Sequence, residues 1–181
     1  CSGDARVDAI GELLGERVLK GGSTAGSAAT VGGMVAAGLS GPARATAGSV
    51  RDYVLGLTLI NGRAEHLTFG GTVMKNVAGY VVSRLMAGAM GTLGLITQVS
   101  LKVLPVAPAE ATLRFALDEA TALRRLNEGA GEPLPLNASS WVTDAGQPVL
   151  YLRLRGAVAA VEAAVGRLLA QVPGERVDSP A

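Results

Sequence analysis

The chain has 181 residues, 49% of them hydrophobic, with 16 Lys and Arg set against 15 Asp and Glu. That apolar share supports a real core, in one medium domain or one domain plus a smaller one. The even charge balance, with no basic cluster interleaved with aromatics, excludes the footprint of a nucleic-acid binder. The only cysteine, Cys1, leaves no intrachain disulfide and no cysteine metal cluster. The longest apolar-rich run near the front, "AATVGGMVAAGL", is too short for a membrane span, and no charged n-region with an apolar core opens the chain, so a soluble protein is expected.

Glycine is the informative excess: 19 of the 25 fall before residue 109, which places the need for backbone freedom in the first part of the chain. Residues 4 to 19 carry Val7, Ile10, Leu13 and Leu14 at helical spacing behind Asp4, a plausible cap. "YVLGLTLI", then Asn61-Gly62, then "RAEHLTF" predicts a hairpin closed by a two-residue turn, because positive φ at both turn positions favours Asn-Gly. "SRLMAGAM" predicts a short helix with Ser83 as its cap and Gly91 just past its end. "LITQVSLKV" predicts a strand with Leu95, Val99, Leu101 and Val103 on one face.

Pro105 and Pro108 interrupt that strand-like run, and a boundary near residue 108 divides the chain into 1–108 and 109–181. Beyond it the expected order is "TLRFAL" strand, "DEATALRRLNE" helix capped by Asp118, "LNASSWV" strand, "PVLYLRLRG" strand and "AVAAVEAAVGRLLAQV" helix, with "ERVD" as a final strand. This β-α-β-β-α order is that of a ferredoxin-like unit, a small antiparallel sheet with two helices on one face. Trp141 and Tyr151 fall in its strands, where core packing is the expected role.

The glycine run "AGAMGTLGLIT", residues 87 to 97, invites comparison with a dinucleotide loop. The flanking order is wrong for a Rossmann site: a helix enters the glycines and a strand leaves them, so a carbonyl end of unsuitable sign faces any phosphate. "AATVGGMVAAGLSG", residues 28 to 41, is a better anion-binding candidate. There Thr30 precedes Gly32-Gly33 and a short helix of small residues, and backbone N–H groups at such a turn can point at a phosphate; tight packing among small residues is the alternative. His66 has no Cys or second His near it in the sequence and reads as a surface or edge residue rather than a metal ligand. Asp8, Glu12, Asp52 and Glu65 form no carboxylate pair, Ser23, Ser27 and Ser40 lack a base partner, and Arg44, Arg51 and Lys75 are weak phosphate candidates. No catalytic residue emerges from this pattern.

The continuous stretch from Ala29 to Pro105, with "ATVGGMVAAGLSG" and "MAGAMGTLGLITQVSLKVLP", resembles the FAD-binding subunits of bacterial glycolate dehydrogenases, also called glycolate oxidases. "LNEGAGEPLPLNASSWV" and "LYLRLRGAVAAVEAAV" extend the likeness through most of the second part. These subunits are vanillyl-alcohol-oxidase-like, PCMH-type flavoproteins. The resemblance implies an α+β fold: a PCMH-type FAD-binding domain lacking its N-terminal subdomain, followed by a ferredoxin-like α+β domain of substrate or cap type.

It implies FAD as cofactor, with Thr30, Gly32, Gly33, Gly38 and Ser40 near the pyrophosphate and isoalloxazine, and Gly48, Ser49, Gly91, Gly94 and Ile96 lining the flavin and adenine side. It further implies oxidation of glycolate, a small 2-hydroxy acid, to glyoxylate, with a sister flavin subunit and an iron–sulfur subunit as partners. A cytoplasmic location follows, peripheral at the inner membrane through the complex.

Two departures stand out. The family's pyrophosphate-cradling loop precedes the helix at 4–19 and this chain starts after it, so weak or absent FAD binding and no activity are expected of this chain alone. The family's Gly-Tyr-Asp is Gly79-Tyr80-Val81 here, which removes an acceptor. These departures keep open a non-catalytic assembly subunit that retains the flavoprotein fold without flavin. A free-standing oxidoreductase acting on another hydroxy acid or alcohol is a third reading.

Overall fold

A computed structural model describes residues 30–72 and 81–177. The expected helix at 4–19, with Asp8 and Glu12, lies outside the described residues, as do Ser23, Ser27, Lys75, Gly79 and Tyr80. The chain divides into two compact units between Pro105 and Val106.

Among the described residues of the first unit, three short helices precede a three-stranded antiparallel sheet. Helix α1 spans Val31–Ala37, α2 Arg44–Ala47 and α3 Val50–Tyr53. Strands β1 (Val54–Ile60) and β2 (His66–Gly70) form the hairpin, α4 spans Val82–Leu85, and β3 covers Leu95–Leu101. The sheet order is β2-β1-β3, so the apolar β1 is central and nearly all buried. Met34, Val35, Val50, Val54, Leu57, Leu59 and Met86 make the core, from α1, α3, β1 and the end of α4.

The hairpin forms, but Asn61-Gly62 is not a two-residue turn. Ile60 pairs with His66, leaving a five-residue loop. The Asn61 side chain organises it: Oδ1 accepts from the Arg63 and Glu65 N–H groups at 2.9 and 3.0 Å, and Ala64 takes the left-handed conformation, φ 59°. An Asn side chain that captures local N–H groups stabilises the longer loop over the tight turn. His66 is exposed on the edge strand β2, as expected.

Two further expectations are corrected. Ser83 does not cap α4; Val81 occupies the N-cap position, without a side-chain hydrogen bond, and Ser83 is buried inside the helix. In β3 the face alternation breaks at Thr97. Thr58 pairs with Gln98 and Leu59 with Ile96, so Thr97 is an extra residue in the strand. A bulge shifts the two-residue period by one; Ile96, Val99 and Leu101 therefore pack on the core while Leu95 and Val103 are exposed.

The second unit follows the expected order: β4 (Ala109–Ala116), α5 (Glu119–Ala130), β5 (Leu136–Asp144), β6 (Gln147–Gly156), α6 (Val158–Gln171) and β7 (Glu175–Val177). The sheet is antiparallel in the order β5-β6-β4-β7, the ferredoxin-like arrangement. Ala111, Leu113, Phe115, Leu150, Leu152 and Leu154 project from alternate positions of β4 and β6 to meet Ala122 of α5 and Val161, Ala164 and Val165 of α6.

The two-residue turn with positive φ at both positions occurs here, at Ala145-Gly146 (φ 47° and 80°) between β5 and β6. Trp141 and Tyr151 are not core residues. Trp141 is 37% exposed and donates Nε1–H to the Leu117 carbonyl at 3.0 Å; Tyr151 stands on the face away from the helices. The polar atom on each ring is satisfied near solvent, which full burial would deny it.

Candidate functional site

The glycine-rich half is organised around α1. Thr30, in extended conformation, accepts the Gly33 N–H at 3.0 Å on Oγ1 and so caps the helix. The first turn leaves the N–H groups of Val31 and Gly32 without intrahelical acceptors, and Thr30, Val31 and Gly33 are exposed. Gly32 lies against β3: a Cβ there would stand 3.3 Å from the Ile96 carbonyl oxygen. Thr30, Gly32, Gly33 and Ile96 are thus brought together.

At the other end, Gly38 closes α1 in the left-handed conformation, φ 65°, and a Cβ there would lie 3.0 Å from the Gly88 Cα. Gly88 and Met90 donate their N–H groups to the carbonyls of Val35 and Ala36, at 3.0 and 2.8 Å. The loop "AGAMGTLG" therefore docks on the carbonyl end of α1. The α1 carbonyls met here are paired acceptors. Gly91 (φ 75°) has nothing within 4 Å of where a Cβ would stand, whereas at Gly94 (φ 148°) a Cβ would lie 2.7 Å from the Ile60 carbonyl oxygen.

Ser40, Gly48 and Ser49 form a second group around the start of α3. Ser40 Oγ accepts from the Val50 N–H at 3.3 Å, and Ser49 donates both its N–H and its hydroxyl to Asp52 Oδ2, at 2.8 and 2.9 Å. Those bonds from Ser49, the backbone one first, hold the Asp52 carboxyl below its usual range. Gly48, φ 92°, sits beside Asp52. Arg44 and Arg51 are exposed, and among the described residues no three His, Cys, Asp or Glu side chains gather as metal ligands.

The second unit carries a polar cluster that sequence reasoning passed over. Strand period two puts Arg114 of β4 and Tyr151, Arg153 and Arg155 of β6 on the sheet face opposite α5 and α6. Arg114 pairs with Glu175 at 2.9 Å and lies 3.9 Å from Asp144; Arg155 lies 3.5 Å from Glu110. Tyr151 donates its hydroxyl to Asp144 Oδ2 at 2.6 Å, which pushes the phenol above its usual pKa. Arg153 donates Nε–H to Asn137 Oδ1 at 2.8 Å. The signal was available in "LYLRLRG", where polar and apolar residues alternate without a break.

Glycolate oxidase subunit GlcE of Escherichia coli strain K12 is 48% identical over 139 residues, 77% of this chain and 39% of that protein. The chain is similar to GlcE over more than three quarters of its own length. Glycolate oxidase subunit GlcD of Bacillus subtilis strain 168 is 36% identical over 84 residues, 46% of this chain and 18% of that protein. A D-lactate dehydrogenase of Anaerostipes hadrus is 44% identical over 77 residues, 42% of this chain and 16% of that protein. The chain spans well under half the length of these relatives. No family model matches it.

Among solved structures, alkyldihydroxyacetonephosphate synthase superposes with a TM-score of 0.61 at 18% identity, covering 84% of this chain and 34% of that one. A second crystal form gives 0.60 at 17% identity, with 84% and 36% covered. At that identity the likeness concerns the fold, and it supports the α+β class expected from the sequence. No described helix is long and apolar enough to cross a membrane.

Proposed function

We propose that this chain is part of the FAD-binding subunit of a multi-subunit dehydrogenase that oxidises glycolate to glyoxylate, working with a sister flavin subunit and an iron–sulfur subunit. The 48% identity to GlcE carries this reading. FAD would supply the acceptor of the substrate's hydride.

The fit of the residues to FAD rests on the first turn of α1. Val31 and Gly32 present N–H groups without intrahelical acceptors, the Thr30 cap holds the turn through Gly33, and the absence of a Cβ at Gly32 and Gly33 suits the approach of a pyrophosphate oxygen. Gly91, open on the Cβ side, allows a flat ring to approach the backbone. Ile96 backs Gly32, Gly38 closes α1 against Gly88 and Gly94 packs on Ile60, while Ser40, Gly48 and Ser49 would line the cofactor from the separate group at the start of α3. The chain's own part is to bind and orient; no residue is assigned the substrate's proton.

The test is purification of the full-length protein with its partners. A flavin absorption spectrum on this subunit and glycolate-dependent reduction of an added dye are expected. Full-length protein that copurifies with its partners but carries no flavin would overturn the reading.

A second reading, an assembly subunit without flavin, draws on the internal packing of Gly32, Gly38 and Gly94, which accounts for those glycines with no ligand. Flavin-free subunit in an active complex would decide for it.

A further inference from the structure

We propose that Arg153 is the anchor for the carboxylate of a small 2-hydroxy acid, held ready by a β-bulge built at Asn137. The choice of ligand rests on the reading above; the anion site itself rests on geometry within the second unit.

Leu136 pairs with Leu154 and Ala138 with Arg153, so β5 advances two residues while β6 advances one. Asn137 is the extra residue. Without the bulge, Asn137 would stand opposite Leu154 and share its helix-facing side, away from Arg153. The bulge re-aims it, and its Oδ1 takes the Arg153 Nε–H at 2.8 Å.

The consequence is a guanidinium fixed by a neutral partner. Arg114 and Arg155, on the same face, each lie within 4 Å of a carboxylate. Arg153 has no carboxylate that close among the described residues, although it is half-buried in the sheet face. A cation withdrawn from water gains most from an ionic partner. With Nε already engaged, the two terminal amino groups remain as a planar fork, which matches the two oxygens of one carboxylate. Thr112, the cross-strand partner of Arg153, adds a hydroxyl on the same face.

A structural role alone would be met by an ion pair of the kind Arg114 and Arg155 make. The bulge instead devotes a strand irregularity to orienting a charge that no carboxylate among the described residues compensates, an arrangement that suits a ligand which comes and goes.

Two measurements test the proposal. In the full-length complex, Arg153→Met is expected to raise KM for glycolate by about tenfold or more, the scale of one charge-assisted pair. kcat and flavin content stay near those of the unmodified complex, and Arg153→Lys recovers part of the loss. Arg125→Met, which removes an arginine paired with Glu128 on α5, leaves KM unchanged. In the 181-residue chain, the 15N-edited Nε–H resonance of Arg153 is expected to shift saturably with glycolate and not with its neutral analogue glycolamide. An unchanged KM in an active Arg153→Met complex overturns the proposal, as does a resonance that ignores glycolate or follows both compounds alike. If the unmodified complex turns over no glycolate, the proposed function fails, and the resonance still decides whether Arg153 holds a carboxylate.

Discussion

Val81 stands at the N-cap of α4 with φ −93° and ψ 82°, and its side chain offers the first turn nothing to accept. An aspartate at this position would cap the helix: an N-cap carboxylate accepts from the second or third N–H of the helix and sits favourably at its positive end. Val81→Asp is therefore expected to stabilise the chain by about 1 kcal/mol, read as a higher urea midpoint at unchanged slope. Two residues on, Ser83 Oγ is buried with no hydrogen-bond partner among the described residues. A hydroxyl in that position has lost its water without replacement, so Ser83→Ala is expected to be neutral or stabilising by up to about 1 kcal/mol. A clear fall in stability in Ser83→Ala would show that the hydroxyl has a partner.

Elements were legible where periodicity alone decides them. The whole β-α-β-β-α-β order of the second unit could be read because "TLRFAL" and "VLYLRLRG" alternate strictly, and Asp118 caps α5 as expected, accepting the Thr121 N–H at 2.9 Å. What escaped depends on partners that lie far away in sequence. The bulges at Thr97 and Asn137 are set by register against β1 and β6, and the five-residue loop after β1 by how Asn61 bonds across it. In the candidate site the glycines could be seen, but not which of them serve packing: Gly32 faces the Ile96 carbonyl and Gly38 the Gly88 backbone, while Gly91 stays open.

The caps also predict an acid response. Hydrogen bonds from Thr121, the backbone one first, lower the Asp118 pKa, and those from Ser49 lower that of Asp52. A carboxyl lowered in the folded state contributes stability above its unfolded pKa of about 4 and loses it as pH falls through the folded value. Asp118→Asn keeps an oxygen acceptor for Thr121 and cannot titrate. Its stability is expected to fall less steeply than that of the unmodified chain between about pH 4 and pH 2, by urea unfolding at each pH.

On the scale of the molecule, the two units own separate cores with no residue in common. Leu113, fully buried in β4, belongs wholly to the second, among Leu152, Val161 and Val165. Truncating it removes several methylene groups from a close-packed site, at a cost of about 2–5 kcal/mol. Because the core it belongs to is drawn from the second unit alone, that cost is expected to fall on that unit's opening. Amide hydrogen exchange of Leu113→Ala should therefore quicken in β4, β6 and α6 while β1 and β3 keep their protection. Equal loss in β1 and β3 would mean that the two cores open as one cooperative body.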